Sequence, residues 1–292
     1  MKKRSLTLLA LALAAAASWA EPQRLLIDPH ATDARLAAGE APHLVVYGAV
    51  QAAQANAPLI VWLPGTNGRP APGPRQLFET WLEQGYRLVG LSYLNHQAVS
   101  QICVPARLRS KPGCAAEMRQ QRVWGDISTG LIGDRPEDAI VPRLTALLQY
   151  LVRSDAAGRW DQYLDAQGQP RWERLVLAGQ SQGGGMAAYL AQSRAVAGVI
   201  MFSGGWDHGR DGDIAPWYGR SSATPAERWW GTYHVEEEQG STMARIYHRL
   251  GVPATQIKAL KEPVREGGRA HGEGIANPVY KPLWQQMLPV VR

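Results

Sequence analysis

The sequence predicts an α/β fold, a mostly parallel central β-sheet flanked by helices, with lid or cap loop insertions. Three observations predict it. Short apolar runs rich in Val, Leu, Ile and aromatic residues recur along the chain, bounded by Gly, Pro or Asn. Longer amphipathic stretches separate them, so strands and helices alternate, as in a parallel sheet covered on both faces. One run of β-formers passes through a glycine-flanked serine straight into a helical pattern, "RLVLAGQSQGGGMAAYLAQ".

The first twenty residues read as a targeting segment. Lys2, Lys3 and Arg4 form a basic start, Leu6 to Ala17 an apolar run too short to span a bilayer comfortably, and Ser18-Trp19-Ala20 a small-residue cleavage site. Cleavage after Ala20 is expected, leaving a single domain over 21–292 in the periplasm or outside the cell. Loss of those three cations lowers the net charge from +6 to +3. No Lys/Arg-rich run is interleaved with aromatics, so no nucleic-acid partner is suggested. No later segment is apolar enough to expect stable membrane insertion once the signal is removed.

Strands are expected over 43–50, 58–65, 86–93, 174–179, 197–204, 228–234 and 254–260. Helices are expected over 75–85, about 138–153, 182–194, 240–251 and 278–288, with Gly85 and Gly251 placed where a helix end wants positive φ. Two stretches break the alternation, 94–135 and 205–227, and long irregular segments of this kind tend to be lids or binding loops. The first holds both cysteines, Cys103 and Cys114. In an exported chain their even count and local spacing predict a disulfide, worth about 3 kcal/mol by loop closure. Trp206, Trp217, Tyr218, Trp229 and Trp230 gather around the second stretch, either lining a pocket or packing the insertion down.

Gly179-Gln180-Ser181-Gln182-Gly183 is a G-x-S-x-G pattern between a strand and a helix. A sharp strand-to-helix turn exposes the serine oxygen above the sheet. Glycines two positions to either side let the backbone approach, and the helix N-terminus aims its free amides at the reaction centre.

With these features the chain resembles the α/β-hydrolase family over nearly all of residues 21–292. The resemblance implies a Ser-His-acid triad in which the acid follows the serine and the histidine comes last. His271, in the glycine-flanked "EGGRAHGEG", fits the histidine position, whereas His248 lies within a helical pattern. The acid is expected after the strand at 228–234, where Glu236-Glu237-Glu238 stand together. Glu237 is favoured by its place in the turn, then Glu236, with Asp207 as the alternative from the preceding strand. The resemblance also implies an oxyanion hole from two backbone amides, those of Gln182 and of Thr66 in "LPGTNG".

Taken together, these residues point to an exported serine hydrolase acting on small carboxylic esters through an acyl-enzyme. No cofactor or metal is implied. A peptidase or amidase on the same triad, or a non-catalytic binding protein with the same fold, remain alternatives. Oligomeric state is not legible.

Overall fold

The computed structural model describes residues 21–39, 41–48, 51, 56–209 and 212–289. The expected signal segment lies outside these residues. The strands are β1 (Gln23–Ile27), β2 (His43–Tyr47), β3 (Leu59–Leu63), β4 (Arg87–Gly90), β5 (Leu175–Gln180), β6 (Gly198–Phe202), β7 (Trp229–His234) and β8 (Ile257–Leu260). The helices are α1 (Pro29–Thr32), α2 (Arg75–Glu83), α3 (Val99–Ile102), α4 (Pro105–Ser110), α5 (Cys114–Trp124), α6 (Ile140–Ser154), α7 (Gln182–Ser193), α8 (Gly240–Arg249), α9 (Ala270–Ala276) and α10 (Lys281–Gln286).

One sheet takes all eight strands in the order β1-β2-β4-β3-β5-β6-β7-β8. Strand β2 is antiparallel to both β1 and β4, and every pairing from β4 through to β8 is parallel. The central strands are apolar throughout because both faces are buried. Leu59, Val61 and Leu63 of β3 join Leu175 and Leu177 of β5 in one core, with Met118 of α5, Leu144 of α6, Met186 of α7 and Ile246 of α8. Their sequence neighbours Ile60, Trp62, Val176 and Ala178 face the other way, against Leu77, Phe78 and Trp81 of α2 and Trp284 of α10. This alternation is the two-residue period of a strand. Gly85 and Gly251 take φ values of 87° and 84°, as the helix ends required.

The seven expected strands are present, and β1 is an addition to them. Residues 94–135, expected to be irregular, carry α3, α4 and α5. Cys103 and Cys114 are disulfide-bonded with a Cα–Cα separation of 5.8 Å. Both are buried, and the bridge fastens the end of α3 to the start of α5. Residue 271, expected in a loop, lies in the first turn of α9.

Candidate active site

In a parallel sheet, binding groups collect beyond the carboxyl ends of the strands, and here six such ends converge. The loop after β5 is the elbow. Ser181 has φ 55° and ψ −121°, a backbone conformation strained for any residue with a side chain. Its N–H donates to the Phe202 carbonyl oxygen at 2.8 Å, fixing the turn against β6. A Cβ on Gly183 would strike the Leu63 carbonyl, and one on Gly179 would strike the Gly183 backbone. These two positions therefore exclude every side chain, which is the physical content of the glycines around the serine.

The loop after β3 lies against the elbow. A Cβ on Gly65 would stand 2.5 Å from Gln180 Oε1 and 3.2 Å from Ser181 Cβ, so any larger residue would crowd the elbow and push the Gln180 side chain aside. Asn95, after β4, holds the loop in place. Its Nδ2 donates to the Gly65 oxygen at 2.7 Å and the Gly68 oxygen at 2.9 Å. Its backbone carbonyl oxygen accepts from Gln182 Nε2 at 3.1 Å. Gln182 Oε1 in turn accepts from the Val99 N–H and from Arg122 Nη1, each at 3.2 Å. With its side chain pinned, Gln182 is the first residue of α7, and its backbone N–H has no partner within the helix.

Glu237, after β7, is the buried member of the three glutamates, while Glu236 and Glu238 are exposed. Its Oε2 accepts from His271 Nδ1 at 2.6 Å. Its Oε1 accepts from Ser203 Oγ at 2.6 Å and from the His234 N–H at 2.8 Å. Burial alone pushes the Glu237 pKa up, but the hydrogen bonds from His271, His234 and Ser203 outweigh it and hold the carboxyl below its ordinary range. Because a carboxylate only accepts, the proton of a neutral His271 lies on Nδ1 and leaves Nε2 to accept. Gln180 Nε2 donates to the His271 carbonyl oxygen at 3.1 Å, tying the histidine to the elbow.

A cavity of about 220 Å³ is lined by Ser181, Gln182, Thr66, His271, Trp206, Asp207, Arg119 and residues 98–101. Four of the five residues singled out from sequence thus meet at one cavity, and the fifth, Glu237, stands behind His271. Ser181 Oγ makes no hydrogen bond among the described residues. Such contacts are commonly long before substrate binds. Of the residues lining the cavity, Ser100 and Gln101 are exposed and the His271 side chain is 36% exposed, whereas Arg119 and Asp207 are buried.

Asp207, the alternative acid, is not joined to His271. It forms a buried bidentate pair with Arg119, whose Nε lies 2.6 Å from Oδ2 and Nη2 2.7 Å from Oδ1. Trp217 Nε1 also donates to Asp207 Oδ2, at 2.8 Å. Of the aromatic residues around the second insertion, Trp206 lines the cavity, its ring edge-on to His271 with centroids 5.3 Å apart. Trp217, Tyr218 and Trp229 are buried in the core. Trp230 packs on the opposite face of the sheet. Sequence reasoning did not find Asn95, Ser203, Gln180 or Arg119. Nothing local marks them, since each acts on a group from 27 to 91 residues away. Among the described residues no group of three or more His, Cys, Asp and Glu is placed to hold a metal.

No protein-family model matches the sequence, and no curated protein matches it. Solved structures similar to this chain include a dienelactone hydrolase from Anabaena variabilis, at 14% identity and TM-score 0.48, covering 91% of this chain and 96% of that one. An α/β hydrolase enzyme from a Medee basin deep-sea metagenome library matches at 11% identity and TM-score 0.47, covering 92% and 99%. Carboxyl esterase 2 from the mycorrhizal fungus Tuber melanosporum matches at 11% identity and TM-score 0.45, covering 94% and 90%. The fold assignment itself rests on strand order and on the elbow. A sheet reversed only at β2, with a strained serine between β5 and α7, gives this chain the α/β-hydrolase fold.

Proposed function

We propose that the protein is an exported serine hydrolase that cleaves small carboxylic esters. The observation that carries this reading is the 2.6 Å contact of His271 Nδ1 with buried Glu237, beside a cavity lined by both His271 and Ser181. In the proposed mechanism Ser181 Oγ attacks the acyl carbon and its proton passes to His271 Nε2. The oxyanion that forms is received by the backbone amides of Gln182 and Thr66, aided by the positive end of α7. Protonated His271 returns the proton to the departing alkoxide, leaving an acyl-serine and a free alcohol. A water then repeats the sequence, with His271 taking its proton, and releases the acid. Glu237 orients the imidazole and stabilises its cationic form throughout.

Export is part of the proposal: residues 1–20 are removed, and the Cys103–Cys114 bridge suits an oxidising compartment. The test is a panel of ester and amide substrates with a fluorophosphonate probe, run on the wild-type and Ser181→Ala proteins. Turnover is expected to fall by a factor of about 10⁴ or more in the variant, with loss of labelling. Near-normal turnover in Ser181→Ala would sink the mechanism.

A further inference from the structure

Arg119 offers five N–H donors. Nε and Nη2 are engaged by Asp207 at 2.6 and 2.7 Å, but Nη1 is buried without a hydrogen-bond partner. The residue is 1% exposed, and it lines the cavity that Ser181 and His271 line. The guanidinium stands 5.3 Å from the Trp217 ring centroid and against Gly185 of α7, which hold it in place. A buried donor on a charged group without a partner is costly, and native structures rarely keep one that nothing ever satisfies. Burial acts to lower the Arg119 pKa, but the Asp207 carboxylate more than offsets it, so the guanidinium stays charged.

We propose that the substrate's acyl group is short and carries a neutral oxygen acceptor, a hydroxyl, ether or keto oxygen, that bonds to Arg119 Nη1. This rests on the esterase reading and names its substrate class. Two arguments set the chemistry. The departing alcohol must lie beside His271 to receive its proton, and His271 is partly exposed whereas Arg119 and Asp207 are buried, so the acyl chain is assigned to the side walled by Arg119 and Asp207. There Asp207 already neutralises Arg119 and itself lines the wall, which favours a neutral acceptor over a carboxylate. At about 220 Å³ the cavity falls below the usual range for drug-sized ligands, which limits the chain to a few atoms.

The experiment compares p-nitrophenyl methoxyacetate with p-nitrophenyl butyrate, a pair differing by an oxygen in place of a methylene, and adds the succinate monoester. Each ratio of kcat/KM is divided by the corresponding ratio for alkaline hydrolysis, which removes intrinsic reactivity. In the wild type the corrected preference for methoxyacetate is expected to be at least about tenfold, the scale of one hydrogen bond to a charged donor. It should collapse in Arg119→Lys, which retains a cation for Asp207 without the Nη1 group. Gly185→Ala is the second variant: its new Cβ would stand 2.6 Å from Nη2 and 2.7 Å from Nη1, and so must displace the guanidinium. It carries the comparison if Arg119→Lys does not fold. A corrected wild-type ratio near one, or a preference that both variants retain, overturns the proposal while leaving the esterase reading intact. An Arg119-dependent preference for the succinate monoester overturns the neutral acceptor in favour of an anionic one. Absence of Ser181-dependent turnover on every ester overturns the esterase reading, and this proposal with it.

Discussion

Asp207 and Glu237 follow neighbouring parallel strands, β6 and β7, and both are buried, yet their partners differ in kind. Asp207 is matched by Arg119, a group that does not titrate near neutral pH, with Trp217 as a third partner. Glu237 is matched by the imidazole of His271, with Ser203 and a backbone amide saturating its other oxygen. A carboxylate locked to a permanent cation can hold a wall in place. A carboxylate facing an imidazole can stabilise a charge that appears and disappears. Under the proposed mechanism the first acid has a structural role and the second a chemical one, and both roles are open to test.

The largest expected effect is on turnover. Glu237→Gln should lower kcat by about 10³–10⁴, as neutralising the acid of such a triad does by favouring the wrong tautomer. Glu236→Gln and Glu238→Gln, on exposed side chains, should leave turnover near wild type. Steady-state kinetics of the three single variants decides it, and three mild effects would remove Glu237 from its role.

Next comes an effect on stability. Asp207→Asn leaves Arg119 buried without its counter-charge, and breaking such a pair from one side costs about 3–5 kcal/mol. Urea unfolding should report a loss of that size, with Glu237→Gln losing clearly less because its amide can still accept from Ser203 or His234. If Asp207→Asn unfolds like the wild type while losing activity, the division of roles between the acids is wrong.

What was legible in the sequence follows the same line. The elbow was legible because its requirement is local: Gly179 and Gly183 lie within two residues of the serine whose turn they permit. The inner strands from β2 to β6 were legible because burial on both faces forces continuous apolar runs. Strand β1 was not, since "QRLLI" is a half-exposed edge with neither a run nor a clean alternation. Helix α9 was missed because "RAHGEGIA" holds two glycines that read as loop. Its order comes instead from contacts with other residues, Arg265 and Asn277 converging on buried Glu273. Glu237 was singled out from its neighbours only by its place in the turn. The Arg119–Asp207 pair was beyond reach, its members 88 residues apart.

The smallest effect is a pH dependence that separates the Glu237 environment from every other acid. Its folded-state pKa is held below the ordinary value of 4.5, in spite of burial, by its three hydrogen bonds. The sign follows from linkage. Above pH 4.5 the carboxylate is ionised in both states, and the hydrogen bonds contribute their full stabilisation. As pH falls below 4.5 the unfolded chain takes up a proton that the folded one still refuses, so this contribution fades until the folded pKa is passed. Other acids behave in the same way, among them Asp33, lowered to about 2 chiefly by its hydrogen bonds with Arg35, so the wild-type curve alone cannot isolate Glu237. Glu237→Gln keeps all of those and lacks only this one. The difference in melting temperature between wild type and Glu237→Gln should therefore narrow as the pH falls below 4.5. A difference that stays constant down to pH 3 would mean that the hydrogen bonds at Glu237 do not discriminate between the carboxylate and a neutral amide. The contrast with Asp207 would then lose its electrostatic basis.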